Sequence, residues 1–311
     1  MAESVYVVTK EDEGRYVKEI LNLRMELSSR LLKKIKVSGD ILLNDKHVNV
    51  RARVYEGDVV RAVYPDEQSY FEPEDIPLDV VYEDEDLLIV NKQAGLIVHP
   101  TYNFPKGTLA NALTYRMQQR GEVYKLRFVN RLDMYTSGLI IIAKNAHCQD
   151  FISNEMKENK VIKKYKAIVH GVLEGSGTID KPIDKDPNHI ARRIVCPDGY
   201  PSVTHYSVIE TFSDAVYGDI KGFSFLDLKL DTGRTHQIRV HLTDMAHPLV
   251  GDELYAQLYG YSENPEWMPR QALHSYYIEF THPRDGHVVK AEVPLPSDME
   301  YCLNYIRTLN K

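Results

Sequence analysis

The stretch Arg127-Phe128-Val129-Asn130-Arg131-Leu132-Asp133-Met134-Tyr135-Thr136-Ser137-Gly138-Leu139-Ile140-Ile141-Ile142-Ala143-Lys144 decides how this chain is read. Its second half, Leu139 to Ala143, is an unbroken apolar run rich in β-branched residues and opened by Gly138. Such a run predicts a strand covered on both faces. Ahead of it lies a polar turn holding one carboxylate, Asp133. A loop residue at the mouth of a buried strand sits on a rigid scaffold, where chemistry tends to be placed. A lone Asp in that position more often does no more than close an Asx turn before Thr136-Ser137-Gly138.

Outside this stretch, composition bounds the answer. A chain of 311 residues makes one large domain or two, with ample length for a core. At 43% hydrophobic and 27% charged residues it reads as a soluble globular protein. No apolar run approaches the roughly 18 residues of a membrane helix, and Met1-Ala2-Glu3-Ser4 lacks a signal-peptide layout. Cys148, Cys196 and Cys302 are odd in number and far apart, which fits a reduced cytoplasm and argues against a disulfide framework or structural zinc. The net charge of −7 looks hostile to nucleic acid until it is mapped. Residues 66–86 hold 10 acidic side chains and no basic one, while residues 1–65 and 87–311 are slightly basic. The acidity is local.

The pattern Arg131-Leu132-Asp133, followed two residues later by Thr136-Ser137-Gly138 and an apolar strand, resembles the catalytic motif of the RluA-type pseudouridine synthases. In that family His usually precedes the triplet; here it is Asn130, which hydrogen-bonds but cannot titrate. Lys163-Lys164-Tyr165 with its following apolar strand and Gly171 resembles the second motif, and Gly233-Arg234-Thr235-His236-Gln237-Ile238-Arg239 the third. Lys92-Gln93-Ala94-Gly95 lacks the family's usual proline at position 93, where only a backbone angle is at stake. The resemblance covers residues 80 to about 295 with three motifs in order. It implies Asp133 as catalytic carboxylate, Tyr165 as the active-site tyrosine and Arg239 as the arginine paired with Asp133, with Arg131 and Arg234 as RNA contacts. It also implies an α+β catalytic domain on a mixed, largely antiparallel sheet.

The N-terminal region has its own pattern. Ser28 or Ser29 is a good N-cap and Gly39 a stop signal, and Leu31, Leu32 and Ile35 share one helical face. Arg30, Lys33 and Lys34 fall opposite them. Short strand-like segments follow, ending in Gly57-Asp58-Val59-Val60. This order resembles the S4-type RNA-binding domain, a module often found at the N-terminus of the same family. The expected organisation is 1–65 as that module, 66–79 as an acidic, proline-containing linker held extended by its charge, and 80–311 as the catalytic domain. Helices are expected over Thr108–Arg120 and Asn145–Met156, and an alternating strand over Phe223–Leu230.

His236, His241 and His247 invite a metal reading, but His236 and His241 are five apart and lie on different faces of a helix or strand. No metal and no cofactor is expected, and no phosphate-cradling loop is present in the sequence. The reading is a cytoplasmic, monomeric enzyme that isomerises uridines in RNA, large-subunit ribosomal RNA ahead of tRNA. The alternative is a non-catalytic RNA-binding or ribosome-assembly protein. A metal-dependent hydrolase is disfavoured by the histidine spacing.

Overall fold

The computed structural model describes residues 3–65, 69–218, 220–260 and 265–310. Residues 3–65 build a small unit from β1 (Glu3–Val7), α1 (Val17–Leu23), α2 (Ser29–Ser38), β2 (Asp40–Leu43), β3 (Lys46–His47) and β4 (Val59–Val63). The strands form an antiparallel sheet in the order β1-β4-β2-β3. Ser28 caps α2 by accepting from the Leu31 amide, and Gly39 ends it. The helix buries Leu31, Leu32 and Ile35 against Val17, Ile20, Val54 and Val60. Arg30 and Lys33 are exposed, but Lys34 is half-buried. It sits only about 60° from Leu31 around the helix, at the edge of the polar face rather than opposite the core.

The rest of the chain is organised on one large sheet. In order come β5 (Asp79–Glu83), β6 (Leu87–Lys92), α3 (Leu109–Arg120), β7 (Arg127–Phe128), β8 (Ser137–Ala143), α4 (Ala146–Lys157) and β9 (Ile162–His170). Then follow β10 (Ser176–Asp180), β11 (Ile183–Lys185), β12 (Arg193–Val195), β13 (Val203–Tyr217), β14 (Ile220–Leu230), α5 (Gln237–Asp244), α6 (Glu253–Ala256), β15 (Leu273–Thr281), β16 (Val288–Glu292) and α7 (Ser297–Leu309). The spatial order is β10-β13-β14-β9-β15-β8-β6-β5, with β16 on β15, β7 on β8, and β11-β12 as a separate hairpin. Among the described residues, β8 and β15 alone pair in parallel in this sheet; its other strand pairings are antiparallel.

Alternation along β6 and β8 feeds two cores. Leu88, Val90, Ile140 and Ile142 face one, with Leu109, Leu113 and Met117 of α3. Leu87, Ile89, Leu139 and Ile141 face the other, with Cys148 and Ile152 of α4. Each such side chain contributes about 1.5–3 kcal/mol by leaving water. All seven residues of β8 are buried, as a central strand requires.

Two further expectations need correction. Strand β14 does not alternate cleanly: Gly222 to Leu226 are all buried, because the centre of the strand is covered on both faces. The acidic segment is not a free linker either. Of residues 66–79, residues 66–68 lie outside the described residues; the remainder is a strap fastened to the large domain. Phe71, Ile76 and Leu78 pack on its core. Asn111 donates to the Glu72 carbonyl at 2.7 Å, the Leu126 amide to Ser69 Oγ at 2.8 Å, and Lys106 Nζ to Glu72 Oε1 at 2.7 Å. Apolar anchors between the acidic residues outweigh the tendency of the charge to extend the segment.

Candidate active site

Gly138 explains why Asp133 sits where it does. Its φ is +114°, and a Cβ there would stand 2.1 Å from the Ser275 carbonyl oxygen. Only glycine lets β8 begin that close to β15, in the register Gly138↔Ser275. Ser275 also lies opposite Tyr165 on β9. One close approach therefore gathers the loop before β8, the serine and the tyrosine.

The loop is tied down from below. The Thr136 amide donates to the Asp133 carbonyl at 3.1 Å, so the turn is closed by backbone and the carboxylate stays available. Met134 O accepts from Lys92 Nζ at 3.0 Å and from the Gly95 amide at 2.9 Å. Lys92 is fully buried and also donates to the carbonyls of Gln93 and Leu96. Burial pushes its pKa down to about 7, with Arg270 adding to the fall and Asp133 opposing it. Arg270 holds Tyr135 O at 3.0 Å while its fork grips Asp298 at 2.6 and 2.8 Å. Asn130, in the place of the family's histidine, accepts from the Ile141 amide at 2.8 Å and donates to Leu139 O at 3.2 Å. It extends the β7–β8 ladder, a role that needs no titration.

Asp133 Oδ2 accepts from Arg239 Nη1 at 3.2 Å. Arg239 comes from α5 and is buried, and its Nε and Nη2 form a bidentate pair with the buried Asp252 at 2.7 and 2.8 Å. The guanidinium also lies 4.9 Å from the centre of the Tyr255 ring. Its pKa is raised by the two carboxylates against the penalty of burial. His236 caps the start of α5 in the left-handed region, at φ +58°, with Nδ1 3.0 Å from the Tyr255 hydroxyl. Burial lowers its pKa to about 4, so it faces Asp133 as a neutral ring. Tyr165 is buried in the wall of the same cleft, and burial with the nearby Asp133 charge pushes its hydroxyl up to about 12.

Arg131 is exposed and reaches over the cleft, donating from Nη2 to Thr235 Oγ1 at 2.9 Å. One cavity of about 610 Å³ runs from Asp133 toward His236, Arg239 and Pro269. Another of about 670 Å³ runs toward Tyr165, Lys163 and Asp231, with Arg131, Asp133 and Thr235 shared between them. Arg234 is exposed beside them, its guanidinium 5.6 Å from the Tyr200 ring centre and its Nε donating to Pro201 O. Arg30, Lys33 and Lys34 stand apart from this cleft, on α2. The structure thus brings Asp133, Tyr165, Arg239, Arg131 and Arg234 together.

The sequence carries no signal for Asp252 or Arg270, and for Lys92 only its place at the head of Lys92-Gln93-Ala94-Gly95. The three histidines do not converge on a metal: His241 bonds Thr204 and Lys181 O, and His247 bonds His170 O. Elsewhere His282 comes within ligand reach of Asp84 and Asp86, and of Asp285 and His287. Asp86 there is already engaged by Asn145 and by Arg284 Nε at 2.6 Å.

A carboxylate gripped by a buried guanidinium, beside an aromatic wall and under an arginine-rimmed opening, has the make-up of an enzyme's active site. Residues 86–244 match the family described as RNA pseudouridylate synthase. The "Ribosomal large subunit pseudouridine synthase D" of Pasteurella multocida is 38% identical over 274 residues, covering 85% of this chain and 80% of that protein. An uncharacterized RNA pseudouridine synthase of Bacillus subtilis is 38% identical over 277 residues, covering 88% and 93%. The solved structure of human RNA pseudouridylate synthase domain containing 1 shares 27% identity at a TM-score of 0.56, covering 76% of this chain and 98% of that one. The chain belongs to the RNA pseudouridylate synthase family and is a pseudouridine synthase, an isomerase acting on RNA.

Proposed function

We propose that this enzyme isomerises specific uridines of large-subunit ribosomal RNA, with Asp133 as the nucleophilic carboxylate, Arg239 as its partner and Tyr165 as the aromatic surface under the base. The observation that carries the site assignment is the 3.2 Å contact between Arg239 and Asp133 at the junction of the two cavities. The ribosomal substrate is supported by the names of relatives that are 33–38% identical over most of their length.

The reaction breaks the bond from ribose C1′ to N1, turns the uracil, and joins C1′ to C5; the proton leaving C5 is balanced by the one gained at N1. No external electron or group is consumed. Asp133 supplies negative charge to the electron-poor ribose carbon as N1 departs. The Arg239 guanidinium stabilises that negative charge through its hydrogen bond to Asp133 Oδ2. Tyr165, its hydroxyl pushed up to about 12, carries its proton at neutral pH and offers a stacking surface and a hydrogen-bond donor beside the ribose, where the resemblance implies it assists proton removal. A uridine in folded RNA must first be flipped out, at about a few kcal/mol, and Arg131 at the cleft mouth is placed to hold the backbone or fill the gap. Arg234 adds positive charge on the same rim.

In the same reading, residues 1–65 are an S4-like RNA-binding module whose α2 presents Arg30, Lys33 and Lys34. Residues 66–79 connect it to the catalytic domain of residues 80–311, and the enzyme works in the cytoplasm as a monomer without metal or cofactor. No described helix is long and apolar enough to cross a membrane. The decisive experiment uses Asp133→Asn, which keeps the shape and removes the charge. On unmodified large-subunit ribosomal RNA the parent should form pseudouridine and the variant none, at unchanged Tm. Appreciable turnover by the variant would remove Asp133 from its role; turnover of tRNA alone by the parent would move the substrate.

A further inference from the structure

We propose that Lys163 binds a backbone phosphate flanking the nucleotide seated at Tyr165, an inference that rests on the cleft taking RNA. Lys163 is 7% exposed, yet no described residue hydrogen-bonds or ion-pairs with its ammonium group. Asp231, the carboxylate whose charge is felt at Lys163, is already taken by His205 Nε2 at 2.7 Å and approached by Lys229 Nζ at 3.7 Å. Lys92 makes the contrast: also buried, it has three carbonyl acceptors. Its stem is buried while its ammonium group opens to the cavity, where it has no internal partner, and folding alone gives no reason to hold a cation there. Burial lowers its pKa and Asp231 only partly opposes that.

The position suits a phosphate. Lys163 and Tyr165 are the two buried residues that alternate at the start of β9, so they share a face. Two residues along a strand span about 6.6 Å, roughly the reach from a nucleoside's base to its neighbouring phosphate. Both line the 670 Å³ cavity that Arg131 overhangs. An incoming phosphate would restore the missing partner through a charge-assisted hydrogen bond.

The probe is an in-vitro transcribed, unmodified large-subunit ribosomal RNA, bound to the full chain over a salt series. Lys163→Met should weaken binding several-fold and make the slope of log K against log salt shallower by about 0.7–0.9, one phosphate's worth. Lys163→Arg should keep both. KM should rise in the Met variant while kcat at saturating RNA changes far less, and Tm should not fall. Unchanged affinity and slope would overturn the proposal. So would a collapse of kcat at unchanged affinity, which marks a proton-transfer role. Should Lys163→Met not fold, amine acetylation of the parent decides: RNA must protect Lys163, and absence of protection rejects the idea. A parent that binds this RNA but turns over none of its uridines defeats the substrate reading alone; the salt slope still judges Lys163.

Discussion

At the scale of the residue, the site depends on how one guanidinium is shared. Arg239 spends its fork on Asp252 and reaches Asp133 with the remaining nitrogen. Arginine can do this because its planar fork offers donors in two directions, whereas lysine is a single point charge. Arg239→Lys should therefore keep the net charge and still lower kcat by about two orders of magnitude, the scale of loss when a positioning contact slips by an ångström. One carboxylate would be left without its partner, so Tm should fall as well. Steady-state kinetics beside a melting curve test this, and near-parental kcat would show that charge alone suffices. Asp133 and Arg239 were legible in the sequence because each stands in a motif with fixed spacing. Asp252 was not, since the pairing of a helix residue with a loop residue 13 positions on follows from the course of the chain between them.

At the scale of the element, β8 was readable because an apolar run with one glycine at its head leaves few alternatives. Its partner was not readable: the parallel pairing with β15 joins residues 137 positions apart in the sequence, and no local pattern encodes it. The anchoring of residues 69–78 is not legible in the sequence for a related reason, because their three apolar anchors are spaced among charges and only the tertiary surface shows what they meet. The glycine supplies the test. Gly138→Ala places a methyl against the Ser275 carbonyl at a backbone angle that L residues rarely adopt. Strain of that kind costs about 1–3 kcal/mol before the clash is counted. The variant should melt earlier and lose activity out of proportion to its unfolded fraction, because the shift in β8 moves Asp133 relative to Tyr165. A variant with parental Tm and rate would mean that the two strands have room to part.

At the scale of the molecule, charge distribution governs both stability and binding. Burial holds His170, His236 and His274 at about 4, below the ordinary value of 6.5. Between those two values the unfolded chain binds more protons than the folded one, so stability is present above about pH 6.5 and drains away as pH falls toward 4. Tm measured across that window should drop before the carboxylates titrate, and a flat profile would contradict it. RNA affinity depends on a different set of charges. The half-buried Lys34 has its pKa lowered first by burial and then by Lys125, Arg127 and Arg30, so the basic face of α2 continues onto the large domain at the start of β7. A polyanion crossing this basic stretch gains from each cation it meets. Replacing Arg30, Lys33 and Lys34 together by Ala should weaken RNA binding and flatten its salt dependence, with turnover of saturating RNA changed far less, because none of the three reaches the cleft. Lys125 and Arg127 would remain, so the slope should decrease without vanishing. If affinity and slope are both unaltered, the N-terminal unit does not grip the RNA. The cleft rim, with Arg131 and Arg234, would then have to account for binding by itself.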